Sequence, residues 1–279
     1  MNKLTLEIKN FDIEAIFTCG QCFRFEKEDD GSFTAVANGK VINLSKDGDR
    51  ITFLNVSEEE FENTWKNYFD MERDYAVIAE KLSQNPVLKE SVEFGKGIRI
   101  LRQPFFECML SFIISANNNI PRIQKIINKL SEIYGEKILY GGREYYAFPK
   151  PEALSDIDEE SLSELHAGYR TKYIVKAVRQ YLAGEICEEE IKKLPWKEAR
   201  AYLMKISGVG PKVADCILLF SFGRFEVFPT DVWVKRVMGE LFGCDEKNAT
   251  KKGMELFGEY AGIAQQYLFY KRREMRTDK

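Results

Sequence analysis

Lys212 and Asp231 are the two residues whose type and setting point most directly to covalent chemistry. Lys212 follows Ser207-Gly208-Val209-Gly210-Pro211, a run through which a helix cannot continue. Glycines supply positive φ angles there, and Pro211 suits the first turn of a new helix. The apolar pattern of Val213 to Phe220 supplies that helix. Backbone N–H groups of Gly208, Val209 and Gly210 then sit at a helix N-terminus, an anion site suited to a phosphate. A cation at position 212 is disfavoured beside the positive end of the helix, so its presence asks for a reason. Two roles are open: gripping a phosphate, or acting as an amine nucleophile. The second needs the neutral form, which is only about 0.1% of an ordinary lysine near neutral pH. The helix end contributes at most about 2 kcal/mol, so desolvation must supply the rest. Nineteen residues on, Asp231 stands between Pro229-Thr230 and the apolar run Val232, Val234, Val237, where it fits a helix N-cap. Capping does not exclude chemistry, since a carboxylate fixed there can face Lys212 and stabilise a cationic transition state.

The elements that must position this pair follow from periodicity. Trp196 to Ile206 carries Ala199, Leu203 and Ile206 at helical spacing, giving helix, tight turn and helix over residues 197–220, with a new helix opening at Asp231. Upstream, residues 1–56 alternate apolar and polar around turns at Asp29-Asp30-Gly31 and Asp47-Gly48-Asp49, which predicts an antiparallel sheet of four to six strands. Glu58 to Glu80 and Val87 to Gly95 read as helices. From Ile98 the pattern is helical: Pro104 to Ser115 is apolar nearly all round, hence buried, and helices follow at Ile123 to Ile133, Lys172 to Leu182 and Tyr260 to Phe269. The expected class is α+β, with a sheet plus helices in residues 1–95 and a helical region in 96–279.

The 279 residues, 44% apolar and 30% charged, describe an ordinary globular chain of two or three packed subdomains. No apolar run reaches the roughly 20 residues a membrane helix needs. MNKLTLEIKN has no signal-peptide core, so a cytoplasmic location is expected, at the nucleoid in a prokaryote. Six scattered cysteines suit a reducing compartment. Cys19-Gly20-Gln21-Cys22 lacks a second cysteine pair and His166 is the single histidine, so no metal is expected. The net charge of −3 divides unevenly. Residues 1–95 carry 11 Lys+Arg against 19 Asp+Glu (−8), leaving 30 against 25 (+5) for residues 96–279. Only the second part favours a phosphate backbone, and modestly.

GVGPKVADC and PTDVWV resemble the signature of the helix-hairpin-helix DNA glycosylases, and specifically the 8-oxoguanine DNA glycosylases that are also abasic-site lyases. Four further words support the resemblance: Gly20-Gln21-Cys22-Phe23-Arg24, Asn117-Asn118-Asn119-Ile120-Pro121-Arg122, His166-Ala167-Gly168-Tyr169-Arg170, and the Gln265 to Phe269 segment. It implies a TATA-binding-protein-like sheet domain followed by an HhH-GPD region, with no cofactor. It further implies a monomer acting on double-stranded DNA that contains 8-oxoguanine opposite cytosine. Lys212 becomes the Schiff-base nucleophile and Asp231 its electrostatic partner. Gly20, Cys216, Gln265 and Phe269 become the lesion pocket; the carbonyl of Gly20 accepts the N7–H that guanine lacks. Asn117 fills the hole left by the extruded base, Tyr169 wedges the stack, and Arg122 and Arg170 read the estranged cytosine. Gly208, Val209, Gly210 and Trp233 contact phosphates, although position 233 is a histidine in animal members. Taken without the resemblance, Gly20 is a turn glycine, Tyr169-Arg170 is surface, and Phe269 is packing. Two rival functions are a glycosylase for another lesion and a DNA-binding module that uses the hairpin alone.

Overall fold

The computed structural model describes residues 2–277. Five short alternating segments pair as one antiparallel sheet: β1 (Lys3–Glu7), β2 (Phe25–Lys27), β3 (Phe33–Ala37), β4 (Lys40–Asp47) and β5 (Arg50–Leu54), in the order β1-β5-β4-β3-β2. The register sets Leu44 opposite both Phe33 and Phe53, so these side chains share one face. Against that face pack Phe11, Phe17, Trp65 and Phe69, with helix α1 (Ile13–Thr18) started by the Asp12 carboxylate.

The expected helix over Glu58 to Glu80 is broken. Short helices α2 (Glu58–Glu60) and α3 (Lys66–Tyr68) flank a π-turn at Phe61–Trp65. The chain then stops at Asp70, whose φ is 49° and whose carboxylate accepts from Tyr75 Oη at 2.8 Å and Arg73 Nε at 3.0 Å. Asp74 caps the next helix, α4 (Tyr75–Ser83), and Asn85 caps α5 (Pro86–Phe94). These two helices send Ile78, Leu82, Leu88 and Val92 into the large helical core, away from the sheet. The expected boundary after residue 95 thus falls between α5 and the core that α4 and α5 help to fill.

The helical region comprises α6 (Phe105–Ser115), α7 (Ile120–Tyr134), α8 (Thr171–Leu182), α9 (Glu188–Lys193), α10 (Trp196–Leu203), α11 (Pro211–Phe220), α12 (Val232–Phe242), α13 (Ala249–Phe257) and α14 (Ala261–Thr277). As its composition requires, α6 is buried nearly all round. A two-stranded hairpin, β6 (Lys137–Tyr140) and β7 (Arg143–Tyr146), was not expected; Gly141-Gly142, both at positive φ, is the turn that encodes it. The KRREMRTDK end, expected to fray, instead continues α14 to Thr277, with Lys271 paired to Glu90 and Arg272 to Glu240. Asp278 and Lys279 lie outside the described residues. No described helix is long and apolar enough to cross a membrane.

Candidate active site

Lys212 is the second residue of α11, directly after the hairpin, and Asp231 is the N-cap of α12, its Oδ1 accepting from Val234 N at 2.8 Å. Both line one cavity of about 440 Å³, together with Gly20, Phe112, Trp233 and Phe269. No ion pair joins Lys212 to Asp231. The Lys212 Nζ lies 5.1 Å from the centre of the Phe112 ring, so one side of the amine faces an aromatic wall instead of water. One turn along α11, Cys216 is buried and shares a hydrogen bond with Lys212; burial pushes its thiol up to about 11 although the lysine charge pulls it down.

The hairpin is held from two sides. Arg200 on α10 engages the buried Asp215 carboxylate on α11 at 2.7 and 2.9 Å, clamping the two hairpin helices together. Gln180 on α8 accepts from Ser207 N at 2.8 Å. Gly208 has φ 86°, and a Cβ there would stand 2.7 Å from Tyr173 Cβ, so only glycine fits. Two hairpin expectations need correction. Gly210 is extended, with φ −92°, so only Gly208 uses the left-handed region. Val209 is buried in the core and its N–H bonds Ile206 O at 3.0 Å, which removes it as a phosphate donor through that N–H.

Gly20 and Phe269 come from opposite ends of the chain and meet in the cavity. Gly20 (φ 82°) is fixed by its neighbour Gln21, a fully buried amide that donates to Ile16 O and Arg99 O and accepts from Leu101 N, all at 2.8–2.9 Å. Gln103 completes the clamp by donating to Gln21 O at 2.7 Å. Gln265 is buried one turn before Phe269 and accepts from Gln266 Nε2. Neither Gln265 nor Cys216 contributes to the open lining of the cavity.

The remaining expected residues form a second cluster at the corner between α6 and α7. Asn117 is exposed with φ 49°, a conformation asparagine tolerates, while Asn119 caps α7. Arg122 is exposed and donates to His166 O at 3.0 Å. Arg170 is only 3% exposed, and its guanidinium donates to Ala116 O, Asn117 O and Ala167 O. Tyr169 is 50% exposed beside it, its Oη reaching Ala116 O at 3.3 Å. Sequence reasoning missed Gln21 as a clamp and missed Arg272 and Arg273, which also line the cavity. Their offset from Gln265 by seven and eight residues puts all on one helical face, a signal that was available.

Comparison with known proteins identifies the family. Residues 3–109 match the family described as 8-oxoguanine DNA glycosylase, N-terminal domain, and residues 110–261 match the HhH-GPD superfamily of base excision DNA repair proteins. A probable N-glycosylase/DNA lyase of Methanothermobacter thermautotrophicus is 31% identical over 234 residues, covering 76% of this chain and 73% of that protein. The Arabidopsis thaliana N-glycosylase/DNA lyase OGG1 is 29% identical, covering 91% of this chain and 75% of that one. Among solved structures, the Clostridium acetobutylicum 8-oxoguanine glycosylase/lyase, in complex with double-stranded DNA containing cytosine opposite 8-oxoG, is 47% identical. It superposes with a TM-score of 0.94 over 96% of this chain and 93% of that one. The chain belongs to the 8-oxoguanine DNA glycosylases of the HhH-GPD superfamily.

Proposed function

We propose that this protein removes 8-oxoguanine from duplex DNA and then cleaves the strand at the abasic site, as a monomer in the cytoplasm. The observation that carries the reading is the sharing of one cavity by Lys212, Asp231, Gly20 and Phe269. Gly208 and Gly210 anchor the backbone, with Trp233 as a further phosphate contact, while Tyr169 wedges the stack. Extruding the nucleotide costs a few kcal/mol, offset by backbone contacts and by stacking in the pocket. The Gly20 carbonyl accepts the lesion's N7–H and Phe269 covers one face of the base; Gln265 and Cys216, buried behind the open lining, meet its edge and other face once the entering base displaces the side chains in front of them. Lys212 Nζ attacks C1′ as the C1′–N9 bond breaks and the base departs with its electron pair, while Asp231 stabilises the positive sugar. Ring opening gives a Schiff base, and loss of a C2′ proton expels the 3′ phosphate.

In the lesion strand Asn117 takes the place vacated by the extruded base, and on the opposite strand Arg122 reads cytosine from its exposed position. Arg170 supports the same readout while holding the carbonyls of Ala116 and Asn117 in place. Single-turnover excision from duplexes with 8-oxoguanine opposite C, A, G and T tests the reading. Fastest excision opposite C, with that preference lost in Arg122→Ala, is expected. Equal rates opposite all four bases would remove the arginines as readers, and no excision from any duplex would remove the proposed lesion.

A further inference from the structure

The cavity holds one buried donor for which the chemistry above has no use. Arg272, on the last helix, lines it together with Lys212, Asp231 and Trp233. Its Nη2 donates to Glu240 Oε1 at 2.9 Å, which ties α14 to α12. Its Nε–H is buried and has no hydrogen-bond partner among the described residues. A guanidinium is a fork of donors matched to carboxylate and phosphate, and Glu240 takes only one arm of it. The groups around Arg272 in the cavity favour an anion over a neutral ligand, and in duplex DNA that anion is a phosphate. Arg273 adds a second guanidinium, shared with Glu274, and α12 presents its first turn, the positive end of an eleven-residue helix, beside Asp231 and Trp233.

We propose that Arg272, acting with the first turn of α12, binds the DNA phosphate that flanks the extruded nucleotide. The proposal rests on the reading of this cavity as the pocket for that nucleotide. The sugar reacting between Lys212 and Asp231 brings its own phosphate to the start of α12, because Asp231 is the cap of that helix. Glu240, half exposed, pre-orients the guanidinium while the pocket is empty. The contact forms only when a nucleotide is extruded, so it strengthens lesion binding and leaves binding to undamaged duplex nearly untouched.

The test is a salt series of equilibrium binding, in a Lys212→Gln background that holds the lesion without turnover. Duplexes with and without 8-oxoguanine are compared for the parent, Arg272→Leu and Arg272→Lys. Expected for Arg272→Leu is about tenfold weaker binding to the lesion duplex. The slope of log K against log salt should also shrink by about 1, with the undamaged duplex unchanged. Arg272→Lys keeps the charge and should retain the slope, which also separates lost charge from lost folding. An unchanged slope in Arg272→Leu, equal loss on both duplexes, or Arg272→Lys binding as poorly as Arg272→Leu would overturn the proposal. If the parent itself does not prefer the lesion duplex, it is the reading of the cavity that fails, whatever Arg272 does.

Discussion

A Cβ placed on Gly20 would stand 2.9 Å from Phe269 Cε1, so the turn after α1 and the last helix touch without room for a single methyl group. Gly20 also sits at φ 82°, where an alanine is strained by about 1–3 kcal/mol. Gly20→Ala must therefore both strain the turn and push the phenyl ring off its wall. Expected is a fall in the ratio of affinity for 8-oxoguanine duplex over guanine duplex, with affinity for undamaged DNA kept. Titration of both duplexes in a Lys212→Gln background measures it; an unchanged ratio would show that neither the glycine nor the ring position governs recognition.

Asp231 caps α12 and faces the cavity, and the two duties can be separated because asparagine caps a helix as well as aspartate does. Asp231→Asn should leave the melting temperature nearly unchanged while slowing single-turnover excision by about 10²- to 10³-fold. A variant that excises at the wild-type rate would reduce Asp231 to a cap.

Gln21 uses its whole amide inside the protein, and its loss would strand Leu101 N and the carbonyl of Arg99 and leave Ile16 O only the weak Cys19 thiol donor. Gln21→Leu should cost about 3 kcal/mol in denaturant unfolding, since each buried polar group left unpaired costs about 1–3 kcal/mol. A loss under about 0.5 kcal/mol, the range of an ordinary surface substitution, would contradict the clamp.

Much of this site was legible in the sequence because hairpin, cap and helical face are local signals. Gly208, Lys212 and Asp231 take their positions from residues within a few places of each other, and Gln265 and Phe269 share a face by spacing alone. The five strands follow from alternation and turn residues. What was not legible depends on distant partners. Gln21 is defined by Arg99, Leu101 and Gln103, about 80 residues away. Arg170 looked like an exposed reader, whereas its carbonyl partners at Ala116 and Asn117 bury it. The break at Asp70 comes from a carboxylate that Tyr75 and Arg102 satisfy, which helical periodicity does not register.

Burial pushes the Asp215 carboxyl up to about 7 from its ordinary 3.8, against the pull of Arg200. Between those values the folded chain holds a proton that the unfolded chain releases, so this group's contribution to stability is lost as pH rises through about 7. Asp215→Asn has no such proton to lose. The melting temperature of the variant minus that of wild type should increase from acid to neutral pH; a difference that shrinks would mean the Arg200 pair outweighs burial.

The central claim is that Lys212 is the nucleophile, and borohydride trapping on an 8-oxoguanine duplex tests it most directly. Borohydride reduces a Schiff base to a stable amine, so only an enzyme joined to the sugar is captured. Wild type should give a covalent protein–DNA band, and Lys212→Gln should give none while still binding the lesion duplex. A band of undiminished strength in Lys212→Gln would assign the chemistry to another amine and contradict the account.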